Sequence, residues 1–193
     1  MKYNTNNSEV DIKGAFLGSL PDDPPLLEEL GISLETIKKE SMLVFNVFKP
    51  NANYAYLDTP DISGPILFIL IYSFLLLMNG KAHFGYIYFI TLCSTFFIYF
   101  LLNVMSTHPM DLIKCYSVLG YSILPIVIFA LVNLCTKWMG VSFRLVLGIG
   151  FSLWSSVAAS FVFTEYLYMK NERFLIGYPI FLVYLCYSLM VIF

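Results

Sequence analysis

Asp61-Ile62-Ser63-Gly64-Pro65 divides this chain. Before it lies a polar segment carrying most of the acids, and after it the sequence is almost continuously apolar to Phe193. Residues 62–80 contain no charged side chain. Hydrocarbon solvates neither a charge nor a bare peptide group, so an uncharged run of that length reads as a spanning helix. Pro65 suits a first helical turn, where its missing N–H has no partner in any case. Gly64 lets the chain bend with no side chain in the way. Asp61, Gly64 and Pro65 together mark where the chain goes into a membrane.

Composition agrees. Of the 193 residues, 59% are hydrophobic, 18% aromatic and 12% charged. An ordinary soluble domain is about 25% charged. With a mean hydropathy of +0.76, the chain falls in the membrane class. Residues 1–62 hold ten acids and five bases, and residues 63–193 hold three acids and six bases. The first part is therefore near -5 and the second near +3, from those same counts. Neither is a polybasic surface, so nucleic acid is excluded as a partner. No apolar h-region opens the chain, and insertion is expected to rely on internal spans.

Charges cut the second part into five uncharged blocks, at 62–80, 82–110, 115–136, 145–164 and 174–193. Each is about the twenty residues a helix needs to cross a bilayer, the second being longer. The spacing predicts spans at about 64–80, 84–105, 115–135, 144–164 and 174–193. The expected fold is all-α: a polytopic membrane protein with five transmembrane helices over residues 61–193 and a short amphipathic cytosolic N-terminal region. Tail-in orientation puts Lys49, Lys114, Lys170 and Arg173 on the cytosolic side, against Lys81, Lys137 and Arg144 on the other. An odd number of spans then leaves the C-terminus in the lumen.

Upstream, residues 1–21 are polar and Asn-rich and are expected to be disordered. Residues 22–60 carry two helix signals. Asp22-Asp23-Pro24-Pro25 opens the first, with Leu26, Leu27 and Leu30 on one face and Gly31 as its stop. Ser33 caps the second, whose Leu34, Ile37, Ser41, Val44, Phe45 and Phe48 form an apolar stripe. The stripe fits a helix lying on the membrane or on the bundle. The alternative is a docking surface for a partner.

The fourth span carries a second pattern: Gly148, Ser152, Ser156 and Ser160 recur every four residues. Small residues at this spacing let helix backbones come close, so this is a packing face, within the bundle or between chains. Asn103 and Asn133 are the main polar residues in the spans, and interhelical hydrogen bonding accounts for them. Cys93, Cys115, Cys135 and Cys186 read as small buried residues, since they form no CxxC or Cys/His pair. His83 and His108 have no partner at ligand spacing, and no nucleophile elbow or phosphate loop appears. No metal, cofactor or catalytic residue is expected.

Several stretches carry a resemblance. Pro25 to Ile32 contains Glu28-Glu29-Leu30-Gly31 and looks like the cytosolic ELGI motif of the Yip family, the Ypt/Rab-GTPase-interacting membrane proteins of the ER and Golgi. Asp61-Ile62-Ser63-Gly64-Pro65 is similar to that family's D-L-x-G-P motif, with Ile62 for the usual Leu. Gly80 to Tyr86 resembles its first hairpin, and Leu101 to Ser106 the end of its second span. Ser117 to Pro125 is similar to its third-span G-Y-x-x-L-P motif, through Gly120, Tyr121 and Pro125. Tyr178-Pro179 fits the start of its fifth span. These matches run in register from about Asp23 to Phe193. They look closest to the founding member's branch, although the tail is shorter and lacks the family's common Pro/Gly/Gln/Tyr-rich composition.

The resemblance implies five spans, a cytosolic N-terminus and no enzymatic activity. It implies binding of prenylated Rab GTPases, pairing with a Yif-type membrane partner, contact with vesicle coat components and a role in ER-to-Golgi transport. The family's sensitive cytosolic acid falls on Glu29, with Glu28, Leu30 and Gly31 around it, which favours the docking reading of residues 26–48. A lipid-perturbing or lipid-scrambling membrane protein is the alternative function.

Overall fold

The computed structural model describes residues 37, 38, 41, 42, 44, 62–80, 84–106, 109–136, 138, 140–168 and 172–193. The described residues form helices and their connections, and the chain is a polytopic helical membrane protein. Four stretches are long and apolar enough to cross a membrane: Gly85–Met105, Leu112–Cys135, Val141–Tyr166 and Arg173–Ile192. Ser63–Met78 is a shorter apolar helix.

That shorter helix is α1 (Ser63–Met78). It ends earlier than the sequence pattern predicts, because Asn79 and Gly80 turn the chain out of it. Gly80 takes a φ of +81°, a conformation closed to most side chains, and its N–H bonds Leu77 O at 2.8 Å. Asn79 Nδ2 donates to Leu75 O at 3.1 Å, closing the last turn. The predicted second span is α2 (Phe84–Met105).

The predicted third span is not one helix but two, α3 (Leu112–Ser122) and α4 (Leu124–Cys135). Pro125 accounts for the break. It has no N–H to offer Tyr121 O, and its ring opposes a continuous ladder through that turn. Ile123 N instead bonds Gly120 O at 3.4 Å, and Ile126 N bonds Ile123 O at 2.8 Å. The sequence pattern predicted an unbroken span here. Gly140 and the extended residue Asp111 precede α5 (Val141–Tyr166) and α3 respectively. The last helix, α6 (Arg173–Ile192), contains Pro179.

α5 and α6 are the most extensively packed pair, and α1 lies across both halves of the broken span. The core contains the fully buried Tyr72, Phe129, Phe163 and Tyr184. α2 is held more loosely, against α3 and α6. Its outer face is aromatic, with Tyr86, Phe89, Phe96, Phe97 and Phe100 exposed. In water such a surface would aggregate; beside lipid tails it costs nothing to expose. The cysteines follow the same logic and correct the sequence reading. Only Cys115 is buried, whereas Cys93, Cys135 and Cys186 face outward. In a membrane the outside of the bundle is as apolar as its core, so a small apolar residue gains little by facing in.

Of the upstream segment, residues 37, 38, 41, 42 and 44 are described and helical, and Ile37, Ser41 and Val44 among them belong to the stripe. Ile37 and Val44 are buried while Lys38 and Met42 are exposed.

Candidate functional site

Two sequence motifs meet at the start of α1. Gly64 and Pro65, in its first turn, lie against Gly120 and Tyr121 in α3. The fit allows no added atoms. A Cβ on Gly120 would stand 2.9 Å from Pro65 Cα and overlap the proline ring. A Cβ on Gly64 would stand 2.8 Å from Tyr121 Cε1 and overlap the phenol. The Tyr121 ring also meets Phe68 edge-on, with centroids 5.7 Å apart, so it spans one turn of α1. Each helix thus presents a bare backbone to the other's ring. Asp61, and Glu28, Glu29, Leu30 and Gly31, lie outside the described residues, as do His83 and His108.

Pro125, the last residue of the third-span motif, leaves carbonyls to be satisfied at the break. Leu119 O is one of them, since Ile123 N turns to Gly120 instead. Tyr184 Oη of α6 donates to Leu119 O at 2.9 Å, and Tyr184 is 1% exposed. A bare carbonyl in hydrocarbon costs several kcal/mol by rough estimate, so a tyrosine in an apolar helix becomes structural here. Tyr72 Oη of α1 donates to Tyr187 O at 2.7 Å, and Tyr187 Oη lies 2.8 Å from Thr91 Oγ1 of α2. Hydroxyls from α1, α2 and α6 so form a polar seam through the bundle. Sequence reasoning missed it. The available signal was a tyrosine at three positions on otherwise apolar helices.

The small-residue face of α5 lies against α6. Ser156 Oγ donates to Gly177 O at 2.8 Å. Ser152 Oγ is 2.7 Å from Gly148 O and 3.2 Å from Tyr184 O. Gly148 leaves room for Phe129 and Ile192, and Ser160 is buried at 9% exposure beside Gly177. Asn133 Nδ2 reaches Val191 O on α6 at 3.1 Å. Asn103 behaves differently from the interhelical role expected of it. Its Oδ1 accepts from Met110 N at 2.8 Å and its Nδ2 donates to Met110 O at 3.3 Å, closing the turn between α2 and α3.

Among the described residues of α1 to α6, charge lies toward the helix ends. Lys114 Nζ donates to Tyr166 Oη at 2.9 Å and pairs with Asp111 at 3.6 Å. The Arg173 guanidinium stands 4.8 Å over the Phe161 ring. Among the described residues no three His, Cys, Asp or Glu side chains gather as a metal site would require. The chemistry on offer is packing, hydrogen bonding and contact with lipid.

These junctions fall within a recognised domain. Residues 45–193 match the Yip1 domain family. The chain belongs to the Yip1 family. It is 33% identical over 181 residues to the protein transport protein YIP1 of Saccharomyces cerevisiae, covering 90% of this chain and 73% of that relative. No solved structure matches it. Within the Yip1 domain lie Gly64, Pro65, Gly120, Tyr121 and the serine face of α5; Glu28 to Gly31 precede it.

Proposed function

We propose that this protein is a membrane adaptor of the early secretory pathway that supports ER-to-Golgi vesicle transport. The observation that carries the reading is its 33% identity, over 90% of its length, to a relative named as a protein transport protein. In this reading the chain resides in endoplasmic reticulum and Golgi membranes and crosses them five times, α1 included. Its N-terminus is cytosolic and its C-terminus luminal. Glu28, Glu29, Leu30 and Gly31 form part of a cytosolic surface for prenylated Rab GTPases, and a Yif-type membrane protein and vesicle coat components are its further partners. No covalent step is assigned to it. The domain limits follow the sequence pattern: a tail over 1–21, amphipathic helices over 22–60 and the membrane domain over 61–193.

The test is capture of the full chain from native membranes in mild detergent. Prenylated small GTPases and a second multi-span protein of the same class should co-purify, and removal of the prenyl group should abolish GTPase recovery. The purified protein in liposomes should leave labelled lipids on their original side. Recovery of neither partner, together with rapid lipid scrambling by the pure protein, would replace the adaptor reading with the lipid-moving one.

A further inference from the structure

α1 is short for a helix that crosses a bilayer. Its 16 residues reach about 24 Å at about 1.5 Å per residue. The hydrocarbon core of a typical bilayer is about 30 Å thick. The four longer apolar stretches hold 20 to 26 residues, or about 30–39 Å of helix. A span that is too long can tilt, but one that is too short cannot stretch.

Neither end of α1 has slack. Asn79 and Gly80 turn the chain at its far end, and the φ of +81° at Gly80 does not continue a helix. Lys81 follows directly in the sequence, and Asp61 stands two residues before Ser63. A lysine can carry its charge outward on a long stem, but the amide and backbone groups of the turn stay where they are. Aspartate has no such reach. Nor is α1 free to slide along the bundle. Pro65 is seated on Gly120 and Gly64 on Tyr121, and Tyr72 Oη donates to Tyr187 O at 2.7 Å. Gly120 lies well inside α3, so α1 meets that helix about 12 Å along its axis from Leu112.

The short span is presented to lipid and not hidden in the bundle. Ile66, Leu70, Phe74 and Leu77 are exposed from the first turn to the last. They recur every three or four residues, so one continuous face of α1 meets acyl chains. Lipids along it must either cover the polar ends of α1 with hydrocarbon or be shorter. Stranding a polar group in hydrocarbon costs several times more than deforming the bilayer by an ångström, so the bilayer yields.

We propose that the exposed face of α1 gathers shorter-chain lipids and thins the bilayer by about 6 Å along this side of the bundle. The partner is a lipid annulus selected by hydrocarbon length, with no headgroup recognised. The inference rests on the five-span reading, in which α1 crosses. The bilayer of the endoplasmic reticulum is a few ångströms thinner than the plasma membrane, so the same face favours residence early in the secretory pathway.

The test reads the lipid beside α1 in the full-length protein. Vesicles of dioleoyl phosphatidylcholine carry equal small shares of dimyristoleoyl and dierucoyl phosphatidylcholine, with one of the two brominated in each sample. Trp138 and Trp154, the chain's two tryptophans, are replaced by Phe. Leu70→Trp then places a single fluorophore midway along α1. Phe96→Trp is the control, at a comparably exposed position on the 22-residue α2. Brominated short-chain lipid should quench the α1 probe roughly threefold more than brominated long-chain lipid, and the α2 probe about equally. Equal quenching at α1, or the same preference at α2, overturns the proposal. If Leu70→Trp does not accumulate, Phe74→Trp on the same face decides by the same ratio. Labelling of Lys81→Cys with a membrane-impermeant thiol reagent, relative to the parent chain, separates this inference from the five-span reading. Labelling only from the side opposite the N-terminal tail shows that α1 crosses, and equal quenching then overturns the thinning alone. Labelling from the tail's own side overturns both.

Discussion

Pro65 of α1 rests on the bare Cα of Gly120 in α3, a contact in which a single methyl group would fall 2.9 Å from Pro65 Cα. Backbone atoms cannot step aside as a flexible side chain can. Gly120→Ala must therefore push α1 off the broken span, at a cost of about 1–3 kcal/mol for overpacking. Gly150→Ala is the matched control, since nothing lies within 4 Å of a Cβ there. It should be neutral or gain up to about 1 kcal/mol in helix propensity. Thermal unfolding in detergent reads both, and equal midpoints for the two variants would mean that the Pro65 contact is not tight.

Tyr184→Phe keeps the ring in the core and takes away the proton that Leu119 O accepts. Hydrogen bonds between membrane helices average about 0.6 kcal/mol and reach about 1.7. The loss should lie toward the upper end, because the break denies Leu119 O its helical donor. Tyr178→Phe, at an exposed position, should leave stability unchanged. An unshifted midpoint for Tyr184→Phe would show that the carbonyl finds another donor.

The serine face of α5 separates volume from hydrogen bonding. Ser156 is 5% exposed and its hydroxyl reaches Gly177 O on α6. Ser156→Ala removes one bond and should cost about 0.6 kcal/mol. Ser156→Leu forces a branched chain between two close backbones and should reduce accumulation sharply. Normal levels for the leucine variant would mean that α5 and α6 separate without harm.

How much of this was legible in the residues depends on the kind of interaction. Charges mark span ends because a bilayer rejects them, so Lys81, Asp111, Arg144 and Arg173 divided the chain near the observed helices. Charge alone carries the first span on to Gly80, because nothing charged stands before Lys81 to mark the turn at Asn79-Gly80. Pro125 carries two signals, a motif match and a helix break, and its chemistry dictates the second. The contacts of Pro65 with Gly120 and of Tyr184 with Leu119 join residues 55 and 65 positions apart. Periodicity within one helix carries no information on such pairs. The outward cysteines show the limit of a rule learned from soluble cores, where apolar means buried.

Orientation has a direct readout. Asn6-Asn7-Ser8 is the chain's only N-x-S/T sequence. With the tail in the cytosol Asn6 stays unglycosylated, while a glycosylation sequence appended after Phe193 is modified in the lumen. A glycan on Asn6 with none at the appended site would invert the topology, and glycans at both or neither would require an even number of spans.

Glu29 tests the proposed cytosolic surface. It precedes Gly31 in a segment whose Leu26, Leu27 and Leu30 are too few to form a core alone, so they need a membrane or a protein to cover them. Surface substitutions usually stay within about 0.5 kcal/mol of the parent in folding stability. Reversing one carboxylate at a charge-paired interface costs about 2 kcal/mol or more, because the partner's base is left buried against a like charge. Glu29→Lys should therefore insert and accumulate normally yet impair ER-to-Golgi transport. A segment that merely lies on anionic lipid behaves in the opposite way, since added positive charge strengthens its attachment. Complementation of a strain lacking its own copy, with protein level followed in parallel, distinguishes the two. Full rescue at normal abundance removes Glu29 from the docking surface. Failed transport at normal abundance, with GTPase recovery lost in the same cells, places the defect in binding and not in folding.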